Sequence, residues 1–260
     1  MTDPTLWRDT LKALRFFSRL PLPPLPGEAD AHGPPDFSAL ARVVPLVGLV
    51  LGGLAGLALV PAALVWPPVV AALIAVGLGI VMTGAFHEDG LADTADSFGG
   101  MTIERRLEIM KDSRIGTFGA AALIIALSLK TAAIASLIAD VGAGRTALAL
   151  AAAGAVSRMA AIALVVYLPP ARTDGAGQAV GAPSADAWQT GCLLAAGLGF
   201  LAWPAAGFVG AVLGLAAAAG LANLALRFAR THVGGQTGDL AGATQQCIEI
   251  ALLLTWLIFA

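Results

Sequence analysis

Long apolar runs alternate with short polar breaks along this chain. The runs cover 43–65, 67–86, 117–139, 146–168, 190–228 and 244–260. A bilayer core requires about 20 apolar residues per helix, so each run is long enough, or nearly so, to cross it. The 190–228 block is too long for one crossing. Trp203-Pro204 divides it and Gly207 follows, and proline ends or kinks a helix by removing a backbone donor. The pattern therefore predicts an all-α, polytopic integral membrane helical bundle of about seven transmembrane helices, or about six if that block is one tilted or re-entrant unit. The last run is short and carries Glu249 near its start, so it reads as the weakest outer span.

Ahead of the first span, residues 5–20 read as an amphipathic helix. Trp7, Leu11, Leu14 and Phe17 form its apolar stripe, with Arg8, Lys12, Arg15 and Arg19 on the other side. A helix of this kind lies in the membrane interface, drawn to anionic lipid. The PLPPLP stretch at 21–26 is a stiff connector and 27–38 is a polar loop. The chain thus divides into an N-terminal interfacial helix and connector (1–42) and one transmembrane catalytic domain (43–260) with a large polar loop at 87–116. Basic residues near span ends set orientation. Arg8, Lys12, Arg15, Arg19, Arg42, Arg105, Arg106, Lys111, Arg114, Arg172, Arg227 and Arg230 fall on one side and Arg145 alone on the other, which makes the crowded side cytoplasmic.

Composition agrees with the pattern: 58% of residues are hydrophobic, 12% are charged, and the mean hydropathy is +0.82. A soluble domain is nearer a quarter charged. Gly48, Gly52 and Gly56 recur at every fourth position, the spacing that lets two membrane helices approach closely. A net charge of −2 provides no basic field for nucleic acid. Cys192 and Cys247 lie in apolar segments without metal-binding spacing and read as small hydrophobes. The N-terminal segment opens with charge and lacks the apolar core of a cleavable leader. The lipid bilayer is one implied partner. The pattern is compatible with an oligomer and does not fix one.

Candidate chemistry begins at residues 86–99, FHEDGLADTADSFG. Asp89, Asp93 and Asp96 are spaced i, i+4 and i+7, so a helix puts all three carboxylates on one face. Like charges crowded together call for a counter-charge, and a divalent cation with oxygen ligands is the simplest. Glu88 and Asp112 are possible additional ligands. His87 reads as an orienter or general base, or as a structural histidine. Asp89, His87 and Glu88 are the catalytic candidates, and spacing does not set which carboxylate deprotonates a hydroxyl. Next, Gly116 and Thr117 open the third span, and a helix N-terminus is a natural anion site. Lys111 and Arg114 beside it would add charge-assisted contacts to phosphate, although basic residues also flank spans ordinarily. Within the spans stand Lys130 and Arg158. A charge at mid-bilayer costs at least about 2.5–3.5 kcal/mol, so it usually faces a cavity or a partner. Arg158 could meet a phosphate, or form an internal ion pair with Glu249; Lys130 could merely snorkel. A final polar stretch, GGQTGDLAGA at 234–243, places Asp239 between glycines, where it could close the site from the far end of the chain. Together these residues point to metal-assisted chemistry on a phosphate at a membrane.

Those residues also carry a family resemblance. FFSRLPLP (16–23), VVPLVGLVLGG (43–53), FHEDGLADTADSFGG (86–100), ERRLEIMKDSRIGTFGA (104–120), SRM (157–159) and GGQTGDLAGA (234–243) resemble, in order, the cobalamin synthase (adenosylcobinamide-GDP ribazoletransferase) family. Ser97 stands where the family's acidic motif commonly has Gly, and the fifth and sixth spans share only hydrophobicity. The resemblance implies a multi-pass enzyme of the bacterial inner membrane with its site facing the cytoplasm. It implies Mg²⁺ as cofactor and adenosylcobinamide-GDP and α-ribazole, or its 5′-phosphate, as substrates, with GMP released. Asp89, Asp93 and Asp96 would then hold Mg²⁺ on the diphosphate while Lys111, Arg114 and Arg158 offset its charge.

Two other readings share some features. CDP-alcohol phosphotransferases also place aspartates on membrane helices around a metal, and Asp89-Gly90 resembles their opening; the later spacing differs. An ion-coupled transporter would use Asp93, Lys130 and Arg158 as a charge path. The acidic residues gather in one loop, however, and the spans show no inverted repeat.

Overall fold

The computed structural model describes residues 4–26, 28, 36–172 and 181–260. Those residues are helical apart from connectors, with no strand among them and an isolated bridge between Pro170 and Gln236. The helices are α1 (Pro4–Phe17), α2 (Phe37–Leu40), α3 (Val44–Val65), α4 (Pro68–Thr83), α5 (Phe86–Asp96), α6 (Ile103–Ile109), α7 (Thr117–Val141), α8 (Ala143–Tyr167), α9 (Ala185–Gly199), α10 (Trp203–His232) and α11 (Gly238–Ile258). The fold is an all-α membrane bundle. Among the described residues five helical stretches are long and apolar enough to cross a bilayer, or six if α4 and the bent α5 segment form one span. The number seven is not established.

The break expected in the 190–228 block is present. A 3₁₀ turn spans Phe200–Ala202, Pro204 enters the first turn of α10, and Gly207 adopts φ 67°, ψ 175°. Residues of both arms line one cavity with α8, so the chain doubles back at this break. The last helix begins at Gly238, earlier than its apolar run, and is not peripheral. Its Leu240, Gln245, Ile248, Glu249, Leu252 and Trp256 are buried.

Small residues set the tightest helix contact, between α3 and α8. A Cβ on Gly48 would overlap the carbonyl of Gly154, and one on Gly52 would overlap that of Leu150. Gly56 meets Ala147 one turn further. In lipid there is little hydrophobic drive between helices, so close van der Waals approach of backbones supplies the association. The four-residue glycine repeat therefore faces a helix and not lipid.

The N-terminal segment is tied into the same end of the bundle. Leu14 and Phe17 of α1 are buried in a cluster with Phe37, Val44 and Met82, and Leu11 is buried too, while Trp7 of the same stripe is 62% exposed. Arg15 pairs with Glu28, and the Arg19 N–H donates to the Met82 carbonyl at 2.6 Å. This places Arg19 against Gly84, the pivot between α4 and α5. The two helices meet at 89°. Consecutive left-handed residues make that corner, Gly84 at φ 65° and Ala85 at φ 58°. Such a φ is ordinary for glycine and uncommon for alanine, so the corner holds local strain immediately before the acidic motif.

Gly48→Leu is expected to destabilise the protein by at least about 1–3 kcal/mol, the usual cost of overpacking, because only backbone atoms stand in its way. Thermal unfolding in detergent would measure it, and an unchanged midpoint would mean that α3 and α8 do not meet there.

Candidate active site

α5 is too short to span a membrane, and its position comes from docking. It crosses the first half of α11 and the start of α7. Gly90 permits this: a Cβ there would lie 2.7 Å from the Asp239 carbonyl oxygen. Gly242 of α11 sits against the His87 backbone in the same crossing. The Gly-rich segment before α11 is fastened from the other side, where Gln236 N–H donates to Pro169 O and Ala171 N–H to Gln236 O, both at 2.9 Å. Asp239 thus reaches α5 from the far end of the chain.

One face of α5 carries Asp89, Asp93 and Asp96. Asp89 is exposed, and Asp93 is half-buried, within electrostatic reach of Asp89, Asp239 and Asp96. Arg172 supplies the opposing charge and donates from Nη2 to Asp239 Oδ2 at 3.2 Å. The three aspartates are not equivalent. Asp96 turns to the N-terminus of α7, where its two oxygens accept from Gly116 N–H at 2.7 Å and Gly119 N–H at 2.8 Å. The anion received by that helix terminus is the protein's own carboxylate, which suits the helix dipole. Thr117 begins the helix exposed. Among the described residues, no three His, Cys, Asp or Glu side chains converge closely enough to hold a metal ion by themselves. The donor set still fits Mg²⁺, which is commonly held by one or two carboxylates and completed by waters and substrate phosphates. Asp89 and Asp93, with Asp239 beside them, provide hard oxygen donors of that kind.

Lys111 and Arg114 lie on the exposed loop between α6 and α7. Arg114 folds onto Asp112, donating at 2.6 and 3.0 Å, and these bonds hold the Asp112 carboxyl at about 2. A phosphate would have to compete with Asp112 for Arg114. The same loop is anchored inward through buried Met110, and through Arg106, which donates to the carbonyls of Gly100 and His232 at 2.9 Å. Ser97 is buried. Its hydroxyl donates to Thr94 O at 2.6 Å and lies 2.9 Å from His232 Nε2.

His87 and Glu88 belong to a second polar cluster, buried behind the acidic face. His87 stacks on Phe17 with ring centroids 6.1 Å apart and rings 5° from parallel. Phe16 packs on Phe86 at 5.6 Å, so the paired phenylalanines of the N-terminal motif brace the start of α5. Glu88 Oε1 accepts from Gln246 Nε2 at 2.9 Å, while its Oε2 is buried without a partner. Lys130 does not snorkel. Its Nζ meets Glu249 Oε1 at 3.0 Å, and Gln245 joins Glu249 to Ser157 with bonds of 2.6 and 3.0 Å. Arg158 is buried beside them, bonded to Gly154 O at 3.3 Å, and its charge reaches Glu88 and Glu249. Cavities of about 40 and 70 Å³ adjoin it. The smaller is lined in part by Lys130, Glu88 and Glu249, and the larger mostly by apolar side chains such as Phe16, Phe17 and Ile162. Arg158 therefore faces the His87–Glu88 end of α5 from within the bundle.

Arg172, Gln245 and Gln246 are the participants that the sequence pattern did not single out. Arg172 looked like one more positive residue beside a span, and the two glutamines like polar residues at the start of one. Glutamines inside an apolar run were the available signal, since buried amides need partners.

A family model described as cobalamin-5-phosphate synthase matches residues 9–257. The chain belongs to the cobalamin-5-phosphate synthase family. A protein of Azorhizobium caulinodans named adenosylcobinamide-GDP ribazoletransferase is 49% identical over 259 residues, covering 97% of this chain and 96% of that protein. Proteins of the same name from Xanthobacter autotrophicus and Brucella anthropi are 47% and 45% identical, covering 97% and 94% of this chain and 96% and 94% of their own lengths. No solved structure matches.

Lys130→Met should cost about 3 kcal/mol, the lower end of the range for breaking a buried pair from one side, because Arg158 still offsets Glu249. Equilibrium unfolding in bicelles would test this, and a loss under about 1 kcal/mol would mean that water already screens the pair.

Proposed function

We propose that this chain transfers the phosphate-linked corrinoid of adenosylcobinamide-GDP to a hydroxyl of α-ribazole or of its 5′-phosphate, releasing GMP, at the cytoplasmic face of the bacterial inner membrane. The observation that carries the proposal is the meeting of Asp89 and Asp93 on α5 with Asp239 and Arg172 from distant parts of the chain. The names of the relatives supply the substrates, and the excess of Lys and Arg on the α5 side of the membrane supports the orientation.

In the reaction the ribazole oxygen bonds to the phosphorus that carries the corrinoid. The bond from that phosphorus to the bridging oxygen of GMP breaks, and the hydroxyl proton passes to a carboxylate of the patch. Little covalent chemistry is required of the protein, and positioning with charge control supplies most of the acceleration. Asp89 and Asp93 would hold Mg²⁺ together with the diphosphate, and the ion would neutralise charge on the transferring phosphoryl oxygens. Asp239, fixed by Arg172, closes the carboxylate side. Lys111 and Arg114, on the exposed loop between α6 and α7, would offset charge on the diphosphate, Arg114 by exchanging Asp112 for a phosphate oxygen. Asp96 holds the start of α7 in register with α5. Glu88, His87 and Arg158 set the depth and rotation of α5 from behind.

Asp89→Asn in purified protein is expected to lower GMP release at limiting Mg²⁺ by at least about 100-fold, with partial recovery as Mg²⁺ is raised. Release equal to wild type at limiting Mg²⁺ would remove Asp89 as a ligand. Absence of substrate-dependent GMP from the wild-type protein would remove the reaction itself.

A further inference from the structure

A cavity of about 670 Å³ opens between α8, α9 and α10, away from α5. Its walls are small: Ala160 and Ala163 of α8, Ala195 of α9, and Ala218 and Ala222 of α10. The inner end is closed by Val156 and Leu215. The other end is different. There Arg227 and Arg230 stand exposed, three residues apart on one helix face, next to Tyr167 and Trp188. Neither guanidinium has a hydrogen bond or ion pair among the described residues. Trp188 Nε1 donates to Tyr167 Oη at 3.2 Å, with the rings edge-to-face at 5.9 Å.

We infer that this groove seats one anionic phospholipid of the leaflet on the α5 side, its phosphate at Arg227 and Arg230 and an acyl chain along the alanine-lined wall. Three observations converge on that occupant. The depth fits one leaflet: residues 156–167 of α8 and 215–230 of α10 rise ~17 and ~22 Å, against ~15 Å for half a hydrocarbon core. The Trp–Tyr pair marks the headgroup level, where such rings concentrate. The charge is complementary, since two arginines without a partner among the described residues suit the anionic surface of the membrane. The apolar wall excludes a purely ionic ligand as the occupant. A zwitterionic lipid would fit the wall but leave the arginines without a net counter-charge. The groove is separate from the acidic patch, so its occupancy does not depend on the reaction proposed above.

Cys192 also lines the groove and serves as an internal reporter. In a Cys247→Ser background, which removes the exposed second thiol, alkylation of Cys192 by N-ethylmaleimide would be followed by intact mass. The protein would be in nanodiscs of phosphatidylcholine alone or of phosphatidylcholine with phosphatidylglycerol. Phosphatidylglycerol is expected to slow alkylation on the order of 10-fold, and soluble glycerophosphoglycerol to have no effect. Arg227→Gln/Arg230→Gln should abolish the difference between the two lipids while GMP release persists, which also shows that the variant is folded. Four results would overturn the inference: equal protection by phosphatidylcholine, undiminished selectivity in the double variant, protection by the soluble headgroup, or protection by adenosylcobinamide-GDP in phosphatidylcholine. The last would assign the groove to substrate.

Discussion

Two helix backbones touch where Gly90 of α5 meets Asp239 of α11, and the site depends on that contact. An eleven-residue helix is too short to be stable by propensity alone. It holds because a glycine on each side of the crossing removes the Cβ atoms that would separate the helices. The approach brings Asp239 to Asp89 and Asp93, although the sequence separates them by more than half the chain. The strained corner at Gly84 and Ala85 makes the approach possible, and the aromatic cluster around Phe16, Phe17 and Phe86 restrains it. The N-terminal segment is thereby a structural part of the site without contributing a charge to it.

α5 separates two polar layers that constrain one another. Its outer face carries acids that repel and call for cations. Its inner side offers Glu88 to Gln246, and behind them lie Lys130, Glu249 and Arg158. Buried ion pairs rarely contribute net stability, because the desolvation cost offsets the attraction. Their value here is geometric. Glu88 and Asp89 are adjacent on one helix, as Gln245 and Gln246 are on another, so satisfying the buried partners sets the rotation of α5. That rotation decides where the carboxylates point.

Much of the helical frame is legible in the sequence. Apolar runs of the right length become α3, α7 and α8, because any backbone in hydrocarbon must satisfy its own hydrogen bonds. The glycines at 48, 52 and 56 announce a close helix partner by their period, though not which partner. Trp203-Pro204 and Gly207 announce a break, because one lacks a backbone donor and the other tolerates a positive φ. Asp239 between glycines reads as a residue brought close to another segment. The helical spacing of Asp89, Asp93 and Asp96 is equally plain.

What escaped the sequence is every pairing between segments far apart in it. Period and composition report which face a residue occupies and nothing about what that face meets. Asp96 looked equivalent to Asp89 until α7 was seen to present its free N–H groups to it. Lys130 looked like a snorkelling side chain until α11 placed Glu249 opposite. Arg172 carried no signal beyond its charge. The sequence alone thus determined membrane residence, helix positions and the acidic motif, since these follow from local hydropathy and spacing. Tertiary structure alone decided which carboxylates stay open on the outer face of α5 and which serve the fold, because that choice is made by the helix that happens to stand across from each.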